Sequence, residues 1–170
     1  MKSHIRRNIK IALFIAVAFV LGVIESYIPV MPHIPGGKLG FANIISVIVL
    51  YLYGAKYALF VSIVRAFLSG LLFSGVNALM YSVSGAFLSV VAMVIVLKIF
   101  KDKVSPIGVC VTGALFNNIA QIVVAAILVS DMSIFTYFCF LAPISVISGI
   151  ATGFGANYVL KYKKNLVGVI

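Results

Sequence analysis

Long apolar runs, each close to the length of a membrane crossing, alternate along this chain with a few short polar breaks. The first run, IALFIAVAFVLGVI, follows the basic stretch MKSHIRRNIK and ends at Glu25, Ser26 and Tyr27. It predicts a helix over about 9–28. The strongest break comes next, in ESYIPVMPHIPGGKLGFAN (25–43), where Pro29, Pro32 and Pro35 lead into Gly36 and Gly37. Proline offers no backbone N–H and restricts the residue before it, so no helix runs through this stretch. It reads as a structured loop. Residues 39–73 then form a predominantly apolar block. As one helix they would extend ~52 Å, far beyond a hydrocarbon core of ~30 Å, so they divide into two spans. Gly54, Ala55 and Lys56 mark the turn between a short helix over 39–53 and another over 55–73. SGVN (74–77) predicts a tight turn before a helix over 77–99, and KIFKDKVSP (98–106) predicts a loop. Further spans follow over 106–129 and, after a turn at Asp131, over 134–160. The expectation is an all-α membrane protein, with six transmembrane helices forming a single domain over 1–170.

Composition agrees, with 64% hydrophobic and 9% charged residues and a mean hydropathy of +1.24. Soluble domains are nearer half apolar and a quarter charged. The net charge of +10 raises the question of nucleic acid, but the bases sit beside apolar segments, which is the signature of membrane orientation. If the N-terminus is cytoplasmic, the inner segments carry Lys2, Arg6, Arg7, Lys10, Lys56, Lys98, Lys101, Lys103, Lys161, Lys163 and Lys164 against one acid, Asp102. The outer loops carry Lys38 and Asp131. Both termini are therefore expected in the cytoplasm, in a multi-pass protein of the cell membrane. The basic start imitates a signal peptide, but no small-x-small cleavage site follows its apolar run, so an uncleaved first span is expected. Cys110 and Cys139 fall at different depths of helices 5 and 6, beyond the ~7 Å limit for a disulfide, and read as packing residues.

Two ionisable residues lie within spans: Glu25 near the outer end of helix 1 and Arg65 near the middle of helix 3. A charge at membrane depth costs at least ~2.5–3.5 kcal/mol and so faces a partner or a cavity. Either the two form an ion pair joining helices 1 and 3, or one or both reach a ligand. Amides and hydroxyls gather at similar depth: Asn43 and Ser46 in helix 2, Asn77, Tyr81 and Ser84 on one face of helix 4, Asn117 and Gln121 on one face of helix 5 with Asn118 beside them. Each alone suits an interhelical hydrogen bond, whereas together beneath a Pro/Gly loop they suggest a convergent binding pocket. The candidate substrate-binding set is Glu25, Lys38, Asn43, Arg65, Asn77, Tyr81, Asn117 and Gln121. Lys38 and Arg65 against Glu25 would suit a neutral or weakly anionic solute.

Several functions are excluded. There is no G-x-x-x-x-G-K-[ST] to cradle ATP phosphates. The three acids, Glu25, Asp102 and Asp131, are dispersed, and cannot hold the Mg²⁺ that a prenyl-diphosphate synthase requires. His33 has no companion ligand, so neither a metal nor another cofactor is expected. No catalytic grouping can be assembled at one depth, and no enzyme activity is expected. Small residues recur at four-residue spacing in Ala12/Ala16, Gly85/Ser89 and Gly149/Gly153. Such pairs allow close helix approach, either inside the bundle or against another subunit.

The six short spans, the basic N-terminus, Ala12-x-x-x-Ala16 and the long loop after helix 1 resemble the S-components of energy-coupling factor (ECF) transporters. GGKLGFANI and LYGAKYALFVSIVRAFLSGLL are more specifically similar to the membrane family called heptaprenyl diphosphate synthase component I, or the Gx transporter family. The resemblance covers most of the chain. It implies a substrate-binding subunit for a vitamin-like or other small solute, docking through Ala12 and Ala16 onto a transmembrane coupling protein driven by two separate ATPases. An alternative is a non-catalytic membrane accessory protein in isoprenoid or menaquinone metabolism or quinone-linked electron transfer.

Overall fold

The computed structural model describes residues 2–27, 40–73 and 75–162. The proline-rich segment over 28–39, with Lys38 and His33, lies outside them. Among the described residues there are six α-helices and no strand: α1 (Lys2–Ser26), α2 (Phe41–Tyr53), α3 (Ala55–Phe73), α4 (Gly75–Phe100), α5 (Pro106–Val129) and α6 (Phe138–Lys161). Five of them are long and apolar enough to cross a membrane, and α2 is a shorter apolar helix.

The boundaries follow local chemistry. Gly40 precedes α2 with φ 76°, and Gly54 ends it with φ 89° and ψ 177°, conformations that exclude most side chains. The 13 residues between them reach only ~20 Å, well short of a bilayer core. At the start of α5, Ser105 caps the helix by accepting from the Gly108 N–H at 3.3 Å. Pro106 follows at the first turn, where its missing N–H is not needed. After α5, Asp131 accepts from the Ser133 N–H at 2.8 Å and from the Ser133 hydroxyl at 2.7 Å. Those two bonds hold its carboxyl below the usual carboxylate range. They open a 3₁₀ segment, Met132–Tyr137, which leads into α6. Of the expected SGVN turn, Gly75 and Asn77 already belong to α4, and Ser74 lies outside the described residues. The expected start of α6 at 134 falls in the 3₁₀ segment rather than in the helix proper.

α2 is the hub. Ile45, Val47, Ile48, Val49 and Leu50 are all buried, which is what a helix apolar on every side requires. It meets all five other helices, and α3 to α6 pack side by side around it in chain order, with α1 against α2 and α3. A buried hydrogen bond of 2.6 Å between the Ser46 and Ser62 hydroxyls ties α2 to α3. The outward surface is the reverse of a soluble protein's. Along α1, Ile5, Ile9, Leu13, Val17, Val20 and Ile24 are exposed, a continuous apolar stripe suited to lipid. Cys110 is buried as expected, whereas Cys139 is exposed and so packs against nothing inside the bundle.

The small-residue pairs separate into two kinds. A methyl added at Gly149 would stand 2.5 Å from Val111 Cα, and one at Gly153 would stand 2.6 Å from Ile107 Cα. This pair lets α6 lie directly on the backbone of α5. Gly85 and Ser89 are likewise turned inward, towards α5. Ala12 and Ala16, by contrast, are exposed.

Candidate functional site

Where the ends of α1 and α2 meet the middle of the bundle, polar groups line a partly open cavity of about 30 Å³: Glu25, Gly40, Asn43, Arg65, Ser82, Asn117 and Gln121. That is room for about one water molecule. Five helices contribute to the wall: Glu25 from α1, Asn43 from α2, Arg65 from α3, Ser82 from α4, and Asn117 and Gln121 from α5.

Glu25 is buried, and its carboxylate accepts a hydrogen bond from the Gly40 N–H. This bond joins the end of α1 to the start of α2 across the proline-rich segment. Gly40 in turn accepts from the Asn43 N–H at 2.8 Å, so its left-handed conformation both opens α2 and aims its own N–H at Glu25. Arg65 is partly exposed along its length, but its Nε is sealed from solvent with no hydrogen-bond partner. Glu25 is the carboxylate that shares the cavity wall with it. Gly22 of α1 lies over the Arg65 head, where an added methyl would stand 3.6 Å from Nη1.

The amide wall rests on a glycine. A methyl at Gly85 would meet Asn117 Oδ1 at 2.6 Å and Gln121 Nε2 at 3.2 Å, so both amides occupy the space a side chain at that position would need. Gln121 is buried, yet its Oε1 has no hydrogen-bond partner. Behind it, the Asn118 amide donates to the Ser145 hydroxyl at 2.6 Å, which donates to the Leu141 carbonyl at 2.6 Å. Asn118 is thereby committed to joining α5 and α6, and is not part of the cavity wall.

An unpartnered acceptor (Gln121 Oε1) and an unpartnered donor (Arg65 Nε) therefore belong to side chains lining the same cavity. Such buried groups are costly unless something hydrogen-bonds them. The arrangement can bind a small polar group. Among the described residues no cluster of His, Cys, Asp or Glu could hold a metal ion.

Of the candidates read from the sequence, Glu25, Asn43, Arg65, Asn117 and Gln121 are brought together here. Tyr81 is half-buried but does not line the cavity. Lys38 and the side chain of Asn77 lie outside the described residues. Two lining residues, Gly40 and Ser82, were not singled out. On α4 the residue that lines the cavity is Ser82 rather than Tyr81 or Ser84. Ser84 turns its hydroxyl back to the Met80 and Tyr81 carbonyls at 2.8 and 3.1 Å, whereas the inward face runs through Gly85 and Ser89 with Ser82 beside them. The available signal was Gly85, whose position marks the close contact with α5.

The sequence profile of the heptaprenyl diphosphate synthase component I family matches residues 14–159, most of the chain. The chain belongs to that family. No curated protein and no solved structure matches it.

Proposed function

We propose that this member of the heptaprenyl diphosphate synthase component I family is a substrate-binding membrane subunit rather than a synthase. It would hold one polar group of a small solute in the chamber between Glu25, Asn43, Arg65, Asn117 and Gln121, whose volume of about 30 Å³ admits a water-sized group, with the rest of the solute lying outside it. The observation that carries this reading is the pair of unpartnered buried groups, Gln121 Oε1 and Arg65 Nε, on side chains that line one cavity. A purely structural cluster would be selected to satisfy both. In this reading the six helices act as one unit with both termini cytoplasmic, as the distribution of lysine and arginine favours. Lys38, Asn77 and Tyr81 would complete the outer approach to the site. The exposed Ala12 and Ala16 would receive a transmembrane coupling protein that works with two ATPases, which supply the energy this chain has no phosphate-binding loop to harvest.

The family description favours a second reading, in which the chain is a non-catalytic membrane partner of isoprenoid or quinone enzymes and the chamber holds only water. One experiment separates the two. The tagged protein is isolated from its native membrane in mild detergent, and mass spectrometry identifies both co-purifying proteins and small molecules. Two ATPases with a membrane coupling subunit, together with a small solute lost in Gln121→Ala, are the expected result. Recovery of prenyl-transferring or redox enzymes and no solute would replace the first reading with the second.

A further inference from the structure

At the end of the bundle opposite the polar chamber, two apolar grooves open on the lipid-facing surface, and one lysine stands in both. The first, about 540 Å³, lies between α1 and α3 and is walled chiefly by Ile11, Ile15, Tyr57 and Phe60, with Lys56 at its end. The second, about 250 Å³, lies between α3 and α4 and is walled by Leu59, Val91, Val94 and Ile95, with Lys56 and Lys98 at its end. Phe60 and Ile95 are half exposed, at 55% and 49%, so both grooves face the surrounding hydrocarbon rather than the interior. The Arg7 guanidinium lies over the Tyr57 ring, 5.3 Å from its centre, adding positive charge beside the first groove.

We propose that this end binds a diacyl anionic phospholipid. Lys56 takes the phosphate, Lys98 serves as second cation, and one acyl chain runs down each groove. Two observations select that occupant. The first is charge: the chain places Lys56, Lys98, Lys101 and Lys103 at this end, with Asp102 the one acid nearby in sequence. A lysine near an anionic surface contributes about 1 kcal/mol of attraction, and its aliphatic stem packs on apolar walls while the head stays at the interface. The second is number. A single cation flanked by two separate grooves matches a head carrying two tails, whereas a single-chain amphiphile would leave one groove bare. Ala12 also lines the first groove, so a coupling subunit seated on Ala12 and Ala16 would pack over the acyl chain held there, whereas a helix alone would leave Lys98 and the second groove unused.

The test uses the full chain in nanodiscs of equal phosphatidylglycerol and phosphatidylcholine, with native mass spectrometry counting the lipids that stay bound. Wild type should retain phosphatidylglycerol in clear excess. Lys98→Gln should reduce that excess about threefold, and Lys56→Gln with Lys98→Gln should abolish it. Lys103→Gln, whose charge belongs to the same end but to neither groove, should leave it unchanged. A bulky substitution in the second groove, Val91→Trp, should displace phosphatidylglycerol with all lysines intact. Equal retention of both lipids by wild type would overturn the proposal. So would a loss in Lys103→Gln as large as in Lys98→Gln, which would mean diffuse surface charge, or displacement of phosphatidylglycerol by geranylgeranyl diphosphate, which would assign the site to a single-chain diphosphate.

Discussion

At the scale of single residues, the chamber turns on one glycine and one amide, and their substitutions should separate binding from stability. Gly85→Ala places a methyl 2.6 Å from Asn117 Oδ1, so both amides must move. Overpacking of this kind costs about 1–3 kcal/mol, and the retained solute should be lost with it. Gln121→Leu should behave differently. It removes a buried acceptor that has no partner, a group whose desolvation costs roughly 1–3 kcal/mol, so thermal stability in detergent should be unchanged or higher while solute retention falls. Loss of stability in Gln121→Leu without loss of solute would show that the amide is structural. The residues that make this site were mostly legible because membrane sequences are sparing with polar groups. Glu25, Arg65, Asn117 and Gln121 stand out against an apolar background whatever the helix phase. Ser82 and Gly40 did not. Serine is cheap to satisfy on its own helix, as Ser84 shows, so a serine's presence does not reveal which way it points. A glycine's contribution through its N–H leaves no mark in the side-chain pattern at all.

At the scale of elements, the same four-residue spacing has two different uses, and only the packing tells them apart. Gly149 and Gly153 bring α6 onto the α5 backbone, so Gly149→Ala or Gly153→Ala forces the helices apart and should lower stability by about 1–3 kcal/mol. Ala12 and Ala16 are exposed on α1, so Ala12→Leu with Ala16→Leu should leave the fold intact, with unchanged thermal unfolding, yet abolish recovery of any coupling subunit. A double variant that unfolds like Gly149→Ala would instead place those alanines in an internal contact. Helix count and order were legible because length alone forbids a single helix through residues 39–73. Helix ends were less so. Ser74 to Asn77 looked like a turn by composition, yet α4 already runs from Gly75, since a serine–glycine pair is only a weak stop signal when packing favours helix. The central place of α2 was also hidden. Its short length reads as a defect from sequence, whereas burial on every side explains it: a helix surrounded by five others has no lipid face to extend.

At the scale of the whole molecule, function depends on which side of the membrane the chamber faces. It is formed at the α1 C-terminal end, beside the start of α2, while Lys56 and Lys98 mark the opposite end. Lys56 and Lys98 therefore sit at the far end of the bundle from the polar chamber, whose own cation is Arg65. If the lysine-rich end is cytoplasmic, the chamber opens from the outside, as a capture site for uptake must. Single cysteines offer a direct check, because Cys110 is buried and Cys139 is the one exposed native thiol among the described residues. In a Cys139→Ser background, Met132→Cys lies on the chamber side of the α5–α6 connection, where Met132 is 78% exposed, and Lys103→Cys lies between α4 and α5. A membrane-impermeant maleimide should label Met132→Cys in intact cells and Lys103→Cys only after permeabilisation. The reverse pattern would turn the chamber towards the cytoplasm. A subunit that captures solute from outside could not then be built on this site, and the accessory role in isoprenoid or quinone metabolism would be the reading left standing.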